Sequence, residues 1–232
     1  MFQFPMKKFF LLLCSFSMLQ TVAQDLSQDW PNLKKYRASN ESLLQSEDFP
    51  EVVFMGNSIT EGWHNQRPEF FEKHNFVGRG IGGQTTPQML IRFTPDVLDL
   101  KPKAVVILAG TNDIAGNTGY SSAKMITDNI SAMAELARAN DIKVVLSSIL
   151  PVYTYPWSPD TEAVARIAEV NTWLKEYANA NDFVYLDYFS HMADDKKGLK
   201  KEYSGDGVHP NVLGYQVMEP LVLEAIRQAL EN

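Results

Sequence analysis

Apolar residues along the chain follow two rhythms that alternate from about residue 50 to the end. Short runs at Val52 to Met55, Asn75 to Val77, Ala104 to Leu108, Lys143 to Ser147 and Phe183 to Leu186 have the length and the content of branched or aromatic residues expected of buried strands. Residues 62–72, 86–99, 121–139, 161–180 and 212–230 carry apolar positions at three-and-four spacing and are expected to be helices. The pattern is clearest at Met125, Ile126, Ile130, Met133, Ala134 and Ala137, after which Asn140 and Asp141 end it. Such a stripe has to lie on another apolar surface. Strands and helices in alternation imply right-handed crossovers and a parallel sheet covered on both faces. The expected fold is therefore α/β: a three-layer α/β/α sandwich of flavodoxin-like type, with five parallel strands. Residues 24–49 read as an N-terminal arm with one helix, with no domain boundary after it, so 24–232 is expected to be a single domain.

Ahead of the arm, Lys7 and Lys8 precede an apolar stretch that ends near Val22 and the small residue Ala23. A charged start, a short apolar centre and a small-residue end predict a signal peptide over 1–23, and the apolar part is too short for a stable span. Lipid anchoring at Cys14 would require small residues before it, where Leu12 and Leu13 stand. The mature protein is thus expected to be exported, periplasmic or extracellular, and without cysteine, hence without disulfides or thiol chemistry. The formal charge is −7; without Lys7 and Lys8 the basic count falls from 21 to 19 against 28 acids, giving −9. Neither nucleic acid nor an anionic membrane surface is an expected partner for such a chain.

In open parallel sheets, ligands bind outside the carboxyl ends of the strands. Four polar clusters follow strands or reach that edge. FMGNSITEG (54–62) places Ser58 after the first strand, where it serves either as a helix-capping residue or as a presented nucleophile. GRGIGGQTT (78–86) brings glycines whose amides can face a ligand; it lacks GxxxxGK[ST] and matches a dinucleotide fingerprint only in degenerate form. LAGTNDIAGN (108–117) offers the Asn112 side-chain amide as a donor to a developing negative oxygen, or as part of a turn. In SGDGVHPNVLGY (204–215), Asp206 and His209 are three apart on one loop, so the carboxylate can hold one ring nitrogen while the other faces a serine. His64, His74 and His191 read as structural. With no HExxH, no His-x-His pair and no clustered acids, no metal or other cofactor is expected.

These four blocks, in this order, resemble the SGNH hydrolases, the GDSL-like lipase and acylhydrolase family, over residues 50–230. GNSIT is similar to the family's first block, with Asn57 where aspartate is frequent; GIGGQTT, GTND and DGVHP are similar to its glycine, asparagine and DxxH blocks. The resemblance implies Ser58 as nucleophile, His209 as base and Asp206 as its orienting partner. It also implies an oxyanion hole from the amides of Ser58 and Gly83 and the side chain of Asn112. GIGG with GTN looks most like the branch of the platelet-activating-factor acetylhydrolase catalytic subunits, which suggests a short acyl group, acetyl above all. GxSxG is absent around Ser58, unlike the α/β-hydrolase elbow.

Substrate contacts are expected from LPVYTYPWSPD (150–160), where Tyr153, Tyr155 and Trp157 among prolines form a stiff aromatic surface, and from Asn57 and Trp63 beside the serine. The expected partner is a small-molecule or glycan ester, and deacetylation of a carbohydrate is favoured. Two rivals stay open: a lysophospholipase or lipid acetylhydrolase, and a non-catalytic carbohydrate-binding protein on the same fold.

Overall fold

In the computed structural model, which describes residues 29–231, each strand is short and almost wholly apolar. The expected leader, residues 1–23 with Cys14, lies outside the described residues. After α1 (Arg37–Ser46) come β1 (Val52–Gly56), α2 (Ser58–Gln66), α3 (Pro68–Lys73), β2 (Phe76–Gly80) and α4 (Thr86–Phe93), the last continuing into a π-helical turn (Thr94–Leu98). Then follow β3 (Ala104–Leu108), the short α5 (Thr111–Ile114), α6 (Ala123–Arg138), β4 (Lys143–Ser147), α7 (Ala163–Ala180), β5 (Val184–Leu186), α8 (Tyr188–Met192) and α9 (Val212–Glu231). All strand pairings are parallel, in the order β2-β1-β3-β4-β5. This is the expected α/β sandwich.

Alternation of side chains along each strand divides the interior into two halves. Val53, Met55, Val105, Ile107, Val144 and Leu146 point one way, into a cluster with Met89, Phe93, Ile126, Met133 and Ile167 of α4, α6 and α7. Val52, Phe54, Val106, Leu108 and Val145 point the other way, toward Ile59, Trp63, Phe70, Phe71, Met218 and Val222 of α2, α3 and α9. Val52 is paired with Phe76 on one side and Ala104 on the other, and Gly56 with Gly80 and Leu108, so three strands end on one level. The chain leaves β1 for β2 on one side and later returns to β3 on the other. The crevice at that switch lies between β1 and β3.

Two segments differ from the sequence-based expectation for local reasons. The helix expected over 62–72 starts earlier, at Ser58, and is broken at Arg67 (φ −135°, ψ 50°), because Pro68 drives the preceding residue out of the helical region. The second strand runs three residues past Val77 to Gly80, so Gly78 and Gly80 belong to the sheet and not to a ligand loop. Their lack of a side chain serves packing: a Cβ on Gly80 would lie 2.2 Å from the Glu61 amide nitrogen and 2.6 Å from the Asn57 carbonyl oxygen. The absence of that Cβ lets the first turn of α2 rest on the end of β2.

Trp63, expected beside the ligand, is 1% exposed and sits inside this packing. Its ring stacks on Phe70 and Tyr215 at 5.5 Å from each and meets Phe54 edge-on at 5.6 Å. A helix starting at Ser58 puts position 63 on the face that covers the sheet, so Trp63 is a core residue. Trp63→Ala is expected to lower stability by about 3–5 kcal/mol, the usual loss for an aromatic core truncation, read from the urea midpoint and slope.

Candidate active site

Ser58 is the first helical residue of α2. The residue before it, Asn57, is 1% exposed, and its side-chain oxygen accepts the Ile59 amide at 3.0 Å, capping the helix. Capping occupies Asn57, which corrects the expectation that it touches substrate. At that helix terminus, the Ser58 amide has no acceptor among the described residues, and the helix dipole favours negative charge nearby.

Residues 204–210, which close on themselves through a Ser204–Pro210 bridge, bring the partner groups. Asp206 Oδ1 accepts the amides of Val208 at 2.9 Å and His209 at 2.8 Å and the Ser204 hydroxyl at 3.1 Å, which leaves Oδ2 for His209 Nδ1 at 2.7 Å. The other ring nitrogen, Nε2, accepts the Ser58 hydroxyl at 2.9 Å across 151 residues of sequence. Partial burial pushes the Asp206 carboxyl up, but the bonds from His209 and Val208 outweigh it and pull the group down to about 2. A carboxylate so held keeps the imidazole oriented and can offset positive charge on it. A serine so placed can lose its proton to the ring as it attacks an electrophilic carbon.

Opposite the serine stands the turn between β2 and α4. Gly83 has φ of +75°, which a glycine adopts without strain, and its amide has no acceptor among the described residues. Asn112, 3% exposed at the start of α5, donates from Nδ2 to the Gln84 carbonyl at 2.9 Å and retains a second amide proton. The next residue, Asp113, accepts the Thr86 amide at 3.0 Å and the Thr86 hydroxyl at 2.6 Å, clamping the asparagine turn to the glycine turn. Burial pushes the Asp113 carboxyl up, against the bonds from Thr86. Arg92, fully buried, gives Nη2 to the Gly56 carbonyl at 2.8 Å, Nε to Gln84 Oε1 at 2.6 Å and Nη1 to Asp96 at 2.8 Å. One guanidinium thus ties the end of β1, and with it Ser58, to the glycine turn. Neither Arg92 nor Asp113 stands out in the sequence. The acid three residues after Ser58, Glu61, was within reach of sequence reasoning as a charge at a helix start.

Of the aromatic loop, the three rings part company. Tyr155 is fully buried, its hydroxyl 2.7 Å from Thr111 Oγ1, so it is a packing residue; that corrects the expected ligand contact. Tyr153 is 60% exposed. Trp157 is 48% exposed, with its ring 6.3 Å from the His209 imidazole at 29° between planes. Its Nε1 donates to Asn117 Oδ1 at 3.1 Å, and Asn117 Nδ2 donates to the Gly83 carbonyl at 3.1 Å. Asn117, which sequence reasoning did not single out, therefore links the aromatic wall to the glycine turn. His64 packs against Phe71 and Gly78, and His74 against Phe70 and Phe76, away from Ser58. Among the described residues no group of three or more His, Cys, Asp or Glu side chains could hold a metal ion.

With this geometry in view, the model of the GDSL-like lipase/acylhydrolase family matches residues 54–217, and the chain belongs to that family. The family's description names lipases and acylhydrolases. A candidate acylhydrolase from Bacteroides fragilis is 46% identical with a TM-score of 0.84, the match covering 88% of this chain and 100% of that one. A GDSL-like lipase from Bacteroides thetaiotaomicron is 44% identical with a TM-score of 0.83, covering 87% and 100%. A candidate platelet activating factor protein from Streptococcus pneumonia is 26% identical with a TM-score of 0.68, covering 89% and 99%. The chain spans about half the length of the curated relatives it matches, one of them a Bacillus subtilis lipoprotein 38% identical over 121 residues, 45% of this chain and 50% of that one.

Two measurements test the framework. Arg92→Met leaves the Gly56 carbonyl and the Asp96 carboxylate buried without their cation, and is expected to cost about 3–5 kcal/mol of unfolding free energy. The Asp206 carboxyl is lowered from 3.8 to about 2 in the folded protein, so the stability it contributes is complete above the unfolded value and is lost as pH falls toward the folded one. The stability difference between the parent and Asp206→Asn should shrink as pH falls below about 4, as read from urea unfolding at each pH.

Proposed function

We propose that the protein is an exported serine esterase that removes a short acyl group, acetyl in the first instance, from a carbohydrate or related ester. The observation that carries the mechanism is the unbroken chain Asp206 Oδ2, His209, Ser58 Oγ, with bonds of 2.7 and 2.9 Å. Ser58 Oγ attacks the ester carbonyl carbon while its proton passes to His209 Nε2. The oxyanion receives the amides of Ser58 and Gly83 and the Asn112 side chain. The carbon–oxygen bond to the alcohol then breaks, and the leaving oxygen takes the proton from Nε2. Water repeats the sequence on the acyl-serine: His209 removes its proton, the oxyanion forms again, and Ser58 leaves with the proton as the carboxylic acid departs.

The leaving oxygen must come within reach of His209 Nε2, so the alcohol lies on the side where Trp157 stands. A half-exposed indole roughly parallel to the imidazole is a surface on which a sugar ring can rest, and Tyr153 extends it. The expected leader supports export, as does the description of the Bacillus subtilis relative as a lipoprotein, and the acidic sequence disfavours work at an anionic lipid surface. The lipid ester is the second reading, favoured by exposed Val212 and Leu213, which follow the histidine loop at the start of α9.

The test is hydrolysis of p-nitrophenyl acetate, butyrate and octanoate, followed by acetylated xylo- or manno-oligosaccharides and a lysophospholipid. Activity confined to the acetate and the acetylated sugars is expected. Turnover of the lysophospholipid alone would replace the carbohydrate reading. Ser58→Ala and His209→Ala should each lose more than ~10⁴-fold in kcat, and Asn112→Ala roughly 10²- to 10³-fold. Full activity in Ser58→Ala would remove the serine mechanism.

A further inference from the structure

The glycine turn that carries the Gly83 amide is held from two directions. From inside, Arg92 and Asp113 fix Gln84 and Thr86. From outside, the carboxylate of Glu61 on α2 accepts the amide of Gly82 through Oε2 at 2.7 Å, while its Oε1 is paired with Lys35 Nζ of the N-terminal arm. Both side chains are less than one-third exposed. The arm adds further holds on the same turn: the Tyr36 hydroxyl donates to the Gly80 carbonyl, Gln84 Nε2 to the Pro31 carbonyl at 2.7 Å, and Gln88 Nε2 to the Trp30 carbonyl at 2.8 Å.

Glu61 brings a difficulty with this anchorage. It places a negative charge one residue from the Gly83 amide and beside Ser58, whose Cβ lies 3.9 Å from the position a Gly82 Cβ would take. A bare carboxylate there would oppose the negative charge that develops on an ester oxygen in the crevice. Two buried cations on this side are already engaged, Arg92 by Asp96, Gln84 and the Gly56 carbonyl, and Arg79 by Asn40 and the Gly78 carbonyl. Lys35 is the cation in direct contact with Glu61.

We infer that Lys35 and Glu61 are positioning residues for the ester-hydrolysis site: Glu61 fixes the glycine turn through the Gly82 amide, and Lys35 neutralises the charge that this fixing introduces. The inference rests on the oxyanion-hole reading of Gly83 above. It assigns the N-terminal arm a share in the reaction although no arm residue among those described is hydrogen-bonded to the serine. With Gly82 N–H held by Glu61, the neighbouring Gly83 N–H is presented to the crevice. Without Lys35, the same bond remains but carries an uncompensated charge.

The two effects separate in kcat and KM measurements on p-nitrophenyl acetate. Glu61→Ala frees the turn and should lower kcat by roughly 10²-fold, as a misplacement of about 1 Å does, with KM near the parent value. Glu61→Gln keeps an oxygen for the Gly82 amide and should recover most of that loss. Lys35→Ala leaves the anchor and exposes the charge, and should lower kcat roughly tenfold. The double variant Lys35→Ala with Glu61→Gln should then be faster than Lys35→Ala alone, which lost packing or lost stability would not produce. Melting temperatures of all four verify folding; should Glu61→Ala fail to fold, the Lys35→Ala and double-variant pair still decides. Parent-like kcat in Lys35→Ala, or a double variant no faster than Lys35→Ala, overturns the inference. Ser58→Ala is the control: if it is inactive while Glu61→Ala and Lys35→Ala match the parent, only the brace is wrong, and if it retains activity, the serine reading itself is wrong.

Discussion

A single buried cation, Arg92, sets the distance between the two halves of the crevice. Its guanidinium is shared among the last carbonyl of β1, the side chain of Gln84 and the carboxylate of Asp96, so the strand that leads into Ser58 and the turn that bears Gly83 cannot drift apart independently. Burying such a charge is expensive unless every donor is used, and burial does pull the Arg92 pKa down against the opposing field of Asp96. The network extends outward: Asp96 receives Asn40, and Asn40 receives Arg79 from β2. Rigid backbone amides aimed at one point are the expected consequence, and amides fixed in advance are what stabilises a developing oxyanion at little cost in reorganisation.

Around that rigid side, the histidine loop is built differently. Asp206 and His209 are surface residues of one short loop, and the carboxylate is held mainly by the loop's own amides. The half that holds Asp206 and His209 is therefore local and open to water, whereas Asn112 and the side chains that hold the glycine turn from inside, Arg92 and Asp113, are buried. Trp157 spans the two halves, near the imidazole on one side and bonded through Asn117 to the glycine turn on the other.

The layers and strand order could be read from the apolar rhythm, because buried parallel strands and amphipathic helices write their burial directly into residue type. Ser58, Asp206, His209 and Asn112 were legible because each follows a strand end or precedes the last helix at one sheet edge, where local spacing survives folding. Trp63, Tyr155 and Asn57 misled: aromatic and amide groups near a motif look available, and only the helix phase or the capping geometry shows that they are already engaged. The glycines misled in a similar way, since Gly78 and Gly80 are there for close packing in the sheet while Gly83 alone has the positive φ. Arg92, Asp113 and Glu61 were invisible as a set, because what unites them is contact across 8 to 36 residues of sequence and not any pattern along it.

The 151 residues between the serine and its histidine also bear on time. Ser58, the glycine turn and Asn112 belong to the first half of the chain, while His209 precedes only the final helix. During synthesis, every intermediate that lacks residues 204–210 has Ser58 without its hydrogen-bond partner His209. The hydrogen-bonded chain Asp206, His209, Ser58 can therefore close only after the last loop, which follows all five strands in the sequence, has been made.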